Sequence, residues 1–114
     1  MQIGIDLGAT KIEYVVLDSN NSEIVRQREN TPSNYKKLLE TISSIIKRLS
    51  TKYNQNLNVG ICHPGSMDSK GKVFNTYNLK CIKDKKIKND LSSLIPNKLK
   101  FENDANCFAL SEAI

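Results

Sequence analysis

The chain has 114 residues, of which 39% are hydrophobic and 25% charged, with a net charge of +5 at pH 7. That length holds one domain with its own core, and the balance excludes a disordered chain. A membrane-spanning class is excluded as well, because no apolar run approaches the roughly 20 residues that a spanning helix needs.

Met1 leads almost directly into a strand-like run without a cleavable signal pattern, so a cytoplasmic protein is expected. The positive excess lies mostly in Lys80, Lys83, Lys85, Lys86 and Lys88, with no interleaved aromatics. It reads as a solvated lysine loop, not a nucleic-acid surface. Cys62, Cys81 and Cys107 lack the paired spacing of zinc sites or disulfide frameworks and read as reduced, unligated thiols.

Gln2 to Leu7 is a short apolar, β-branched run that stops at Gly8-Ala9, which predicts a strand and a hairpin turn. Lys11 to Asp18 is apolar on most of both faces, as expected of a strand inside a sheet. After the polar turn Asp18-Ser19-Asn20-Asn21-Ser22, the segment Glu23 to Glu29 is more polar and predicts an edge strand. Thr31-Pro32-Ser33 offers a cap and a first-turn proline to a helix. Its stripe is Tyr35, Leu38, Leu39, Ile42, Ile45, Ile46 and Leu49. Leu57 to Cys62 predicts a strand that His63-Pro64-Gly65-Ser66 breaks sharply. Beyond it lie a turn at Asp68 to Gly71, an extended piece at Val73-Phe74, a short helix over Asn89 to Ile95 and a strand over Lys98 to Glu102. Asn103-Asp104 then caps a final helix. This order predicts an α/β fold: a mixed sheet with an antiparallel three-strand start and flanking helices. The last helix runs into Ile114 with no Gly, Pro or basic C-cap nearby, so a truncated domain is expected.

Two constellations carry potential chemistry. Asp6-Leu7-Gly8-Ala9-Thr10-Lys11 puts an acid, small residues, a hydroxyl and an amine around a strand-to-strand turn. Its N–H groups and the Thr10 hydroxyl can address phosphate oxygens while Asp6 holds a hydrated Mg²⁺. A tight hairpin would use the same glycine and threonine for the turn alone. The pattern is neither a Walker loop nor a dinucleotide fingerprint. At the end of a strand, Asn103 and Asp104 suit sugar hydroxyls, with Asp104 as a proton acceptor. Helix capping alone would also explain the pair.

Three blocks in order carry a resemblance. Gln2 to Asp18 is similar to the opening Ile-Gly-Ile-Asp-Leu-Gly-Gly-Thr-Lys stretch of the ROK family, and Gly60 to Ser66 to its Gly-Ile-Gly-x-Pro-Gly-Ser segment. Glu102 to Ala113 resembles its Glu-Asn-Asp-Ala-Asn-Cys-Phe-Ala-Leu-Ser-Glu-Ala block, especially in fructokinase and N-acetylglucosamine kinase members. The resemblance implies an actin-like ATPase fold with a ribonuclease H-like sheet in each of two lobes, ATP and Mg²⁺ lying in the cleft between them. Residues 1–114 would be the N-terminal lobe. By position, Asp6, Gly8, Thr10 and Lys11 fall in the phosphate-binding turn, with Asp6 toward the metal. Pro64, Gly65 and Ser66 lie beside the sugar, Asn78 contacts it, and Asn103 and Asp104 form the sugar-binding pair, with Asp104 as catalytic base.

The departures are local. Ala9 replaces a glycine, at a cost of roughly 1 kcal/mol or more if that position needs a positive φ. Cys62 and His63 replace the commoner glycine and aliphatic residue before Pro-Gly. The family's second phosphate segment, adenosine segment, zinc motif and later sugar-binding Glu and His would all lie beyond Ile114. The implied activity is therefore phosphoryl transfer from ATP to the primary hydroxyl of a hexose (fructose, glucose, mannose or N-acetylhexosamine) by a complete two-lobed enzyme. The 114-residue chain alone is expected to be inactive and to self-associate through its exposed lobe surface. The alternatives are a sugar-sensing regulator of the same family and a non-catalytic truncated lobe. Family regulators carry a winged helix-turn-helix ahead of the sugar-binding lobe, whereas here the first strand starts at Gln2.

Overall fold

A computed structural model describes residues 1–74 and 79–103, without the side chains of Ser66 and Asn103. Strands β1 (Gln2–Leu7), β2 (Lys11–Leu17) and β3 (Glu23–Asn30) form the expected antiparallel meander. Helix α1 (Tyr35–Lys52) then returns the chain to β4 (Asn58–His63), which pairs parallel with β1. A two-stranded hairpin, β5 (Ser66–Met67) with β6 (Val73–Phe74), follows. After it come a 3-10 turn at Lys80–Ile82, helix α2 (Ile87–Ser92) and β7 (Leu99–Asn103). β7 pairs parallel with β4, giving the five-stranded order β3-β2-β1-β4-β7.

The core lies on one face of this sheet. Ile3, Ile5 and Leu7 of β1, Ile12, Tyr14 and Val16 of β2, and Val59 and Ile61 of β4 are buried against Leu38, Ile42, Ile45, Ile46 and Leu49 of α1. Alternation puts the intervening residues Gly4, Asp6, Val15, Gly60 and Cys62 on the opposite face, where they are half-buried or exposed. β3 is polar because it is an edge: its residues are exposed except Val25 and Glu29, which are half-buried. Arg26 and Arg28 reach across to Glu13 and blunt the edge with charge.

Strand ends fall within a residue of expectation, and the larger departures lie in the helices and the lysine-rich segment. The α1 cap is Asn34, whose side chain accepts from the Lys37 N–H at 3.1 Å, because Thr31 is used elsewhere. α2 covers Ile87–Ser92 instead of Asn89 to Ile95; Ile87 and Leu91, four apart, are its buried residues, and Ile95 joins the core from beyond its end. The lysine-rich segment contains a 3-10 turn because Leu79 and Ile82 are buried beneath it, although its lysines remain exposed as expected. Asn97, itself buried, ties the end of α1 to the approach to β4 by donating to Ser50 Oγ at 3.1 Å and to the Leu57 carbonyl at 2.8 Å.

Candidate functional site

β1, β4 and β7 run parallel, so their carboxyl ends lie at one edge of the sheet. In an open α/β sheet this is the edge where loops gather around ligands. Leu7 leads there into the Gly8-Ala9-Thr10 turn, His63 into Pro64-Gly65, and β7 ends at Asn103. Candidate residues from three separate segments are thus brought to one edge: Asp6, Gly8, Thr10 and Lys11; Pro64, Gly65 and Ser66; and Asn103. Asn78 and Asp104 lie outside the described residues.

The β1–β2 turn is closed by the Gly8 N–H donating to the Lys11 carbonyl at 3.0 Å. A Cβ on Gly8 would sit 2.7 Å from that carbonyl oxygen, so the closure requires glycine here. Thr31, which the local sequence marks only as a candidate helix cap, staples the turn from 23 residues away. Its hydroxyl donates to the Gly8 carbonyl at 2.9 Å and its N–H to the Thr10 carbonyl at 2.9 Å. Only the β2–β3 register, with Lys11 opposite Asn30, delivers it. The Lys11 ammonium donates to the Asn30 side chain. Among the described residues the non-glycine positions with positive φ are Asn21, Asn54 and Asp84; Ala9 is not one of them, so its methyl carries no left-handed strain.

Asp6 is exposed and pairs in register with Glu13 on one side and Cys62 on the other; Cys62 in turn pairs with Glu102. These four residues form one row across the sheet face that α1 leaves open. Glu13 is engaged by Arg26 and Arg28. No group of three or more His, Cys, Asp or Glu able to hold a metal occurs among the described residues. Mg²⁺ does not need such a cluster, because it keeps most of its water and takes one or two carboxylates plus the phosphate oxygens of a substrate.

The second turn differs in character. Pro64 precedes Gly65, whose φ is 83°, and His63, buried at 2% exposure, sits beneath them. The His63 ring packs against the Phe101 ring at 5.9 Å between centroids. Its Nδ1 also lies 3.1 Å from the Pro64 carbonyl, a contact invisible in the sequence. Of the cysteines, Cys81 is a free thiol, and burial raises its pKa. Cys62 is half-buried on the sheet face that α1 leaves open. Surface hollows of about 410 Å³ (Lys47, Ser50, Asn54 and Pro96 among the lining residues) and 550 Å³ (Glu40, Ser44 and Arg48) follow α1 and share no residue with the strand-end edge.

Known proteins share this chain's sequence pattern and fold. N-acetyl-D-glucosamine kinase of Vibrio cholerae is 36% identical over 114 residues, covering 99% of this chain and 38% of the relative. The chain therefore spans less than two-fifths of the length of such curated relatives. A crystal structure of a ROK family glucokinase from Streptomyces griseus, in complex with glucose and AMPPNP, superposes with a TM-score of 0.79. It is 25% identical and covers 95% of this chain and 34% of that one. A ROK family transcriptional regulator shares the fold at a TM-score of 0.76 and 13% identity, over 99% of this chain and 32% of that one. The fold is thus the actin-like ATPase fold of the sugar kinases that neighbour it. With its sequence matching the ROK family over residues 2–114, the chain belongs to that family.

Proposed function

We propose that residues 1–114 form the N-terminal lobe of an ATP-dependent sugar kinase that phosphorylates the primary hydroxyl of a hexose such as N-acetylglucosamine, glucose, mannose or fructose. The observation that carries this reading is the gathering of the β1–β2 turn, the Pro64-Gly65 turn and the end of β7 at one sheet edge. Support for the substrate class comes from the N-acetylglucosamine kinases at 34–37% identity and from the glucose and AMPPNP held by the Streptomyces enzyme. The transcriptional regulator, at 13% identity, shares the fold alone, so the kinase reading is preferred.

In this account the amides of the stapled Gly8-Ala9-Thr10 turn and the Thr10 hydroxyl address the phosphates, and Lys11 adds positive charge beside them. Asp6 would hold Mg²⁺, which neutralises phosphate charge when bound. Pro64, Gly65, Ser66, Asn78 and Asn103 bound the sugar, and Asp104 accepts the proton of the attacking hydroxyl. Phosphoryl transfer depends chiefly on position and charge neutralisation, so these roles suffice for this lobe. The adenosine site and the remaining sugar ligands would come from the second lobe.

The test is Asp104→Asn in the complete protein. Loss of the proton acceptor lowers kcat by about 100-fold or more, while sugar affinity, measured by calorimetry, stays within about threefold. Unchanged turnover would remove Asp104 from the mechanism.

A further inference from the structure

His63 does more than fill space. It is the last residue of β4, 2% exposed, on the core side of the sheet. Its ring packs on Phe101, and Nδ1 lies 3.1 Å from the carbonyl oxygen of the next residue, Pro64. A carbonyl only accepts, so Nδ1 bears the proton and donates. The accepting oxygen belongs to the Pro64–Gly65 peptide, the central peptide of the turn.

Proline fixes φ near −65°, and Gly65 has a φ of 83°, which together are the φ signs of a type II turn. Type I and type II turns differ by a flip of that central peptide, so a peptide without a partner can turn over. Here its oxygen is drawn back toward a buried imidazole. A trans peptide holds its C=O and N–H on opposite sides, so the Gly65 N–H is directed away from the core.

We propose that His63 is a positioning residue: its Nδ1–H locks the Pro64–Gly65 peptide in one orientation and thereby fixes the direction in which Gly65 N–H is offered to a sugar oxygen. The proposal rests on the sugar-kinase reading for its ligand, but the lock itself is a property of this chain. It acts on the sugar side alone, because the phosphate turn is stapled independently by Thr31.

Two substitutions in the complete protein separate locking from packing. His63→Phe keeps a ring against Phe101 and removes the donor; His63→Asn keeps a donor amide near the Nδ1 position and removes the ring. The loss of one positioned hydrogen bond predicts a hexose KM raised about fivefold to tenfold in His63→Phe, with kcat and the ATP KM within about twofold of wild type. His63→Asn recovers most of the hexose KM. An unchanged hexose KM in His63→Phe overturns the proposal, as does equal impairment in both variants. Long-range ¹H–¹⁵N spectra of the wild-type imidazole give a readout independent of activity and of how the variants fold. The lock requires the neutral ring to carry its proton on Nδ1, and a proton on Nε2 instead overturns it. Should the complete protein phosphorylate no hexose, the kinase reading fails while the tautomer still decides whether the lock exists.

Discussion

The space around Gly8 is too small for one methyl group. Its Cβ would meet the Lys11 carbonyl oxygen at 2.7 Å, and that oxygen is fixed by the hydrogen bond that closes the turn. Gly8→Ala is therefore expected to cost about 2 kcal/mol, read as a lower urea midpoint, by forcing the backbone apart. Ala9→Gly is the matched contrast: with no positive φ to relieve, it gains nothing in the folded state and loses up to about 1 kcal/mol through a freer unfolded chain. The sequence shows both residues plainly but not which of them is constrained, since that depends on where the Lys11 oxygen lies. Asp68 is another residue whose environment is set by backbone. The amides of Lys72 and Lys70 donate to its Oδ1 at 2.9 and 2.8 Å and hold its pKa below the ordinary 3.8. The Lys72 bond is the largest cause; desolvation, next in size, opposes it, and the Lys70 amide and the two lysine charges add to the lowering. A depressed folded pKa means that the contribution is complete above the ordinary carboxylate range and is lost as pH falls through the depressed value. Carboxyl carbon shifts should therefore titrate below pH 3.8, with the β5–β6 turn amides moving in step, and Asp68→Asn should remove that dependence. A midpoint at or above the ordinary value would contradict the turn geometry.

Among the elements, α1 was the most legible. The spacing of Leu38, Ile42, Ile45, Ile46 and Leu49 marks one face, and all five are buried in the core. The cap was not legible, because Thr31 and Asn34 are both good cap residues and only the pairing of β2 with β3 commits Thr31 to the Gly8 carbonyl. Two substitutions grade the helix. Ile42→Ala, at a fully buried position facing the sheet, is expected to cost about 3 kcal/mol by opening a cavity, and Asn34→Ala about 1 kcal/mol by freeing the Lys37 amide. Chemical denaturation measures both, and equal losses would mean that the cap and the core have been weighed wrongly. The start of α2 was misplaced for a related reason. Lys86 makes no side-chain cap bond, so no polar signal marks the helix start, and burial of Ile87 sets it instead.

At the scale of the whole molecule, the family was readable from the order of three motif blocks, and residues 2–114 match it. What the sequence did not show is the register that aligns Glu13, Asp6, Cys62 and Glu102 in one row and brings the two turns to one edge. Registers follow from tertiary packing of β1, β4 and β7, separated by long crossovers, and no local pattern encodes them. The expected roles of Asn78 and Asp104 fall on positions outside the described residues. In the proposed enzyme this edge is one wall of a cleft. A single wall leaves water in the site and supplies only part of the charge neutralisation that phosphoryl transfer needs. The most direct measurement is a coupled assay with ATP, Mg²⁺ and a panel of glucose, fructose, mannose and N-acetylhexosamines, run on the complete protein and on the purified 114-residue chain. The account predicts robust phosphorylation of at least one sugar by the complete protein and none by the 114-residue chain; comparable turnover by the isolated chain, or no turnover of any hexose by the complete protein, would contradict it.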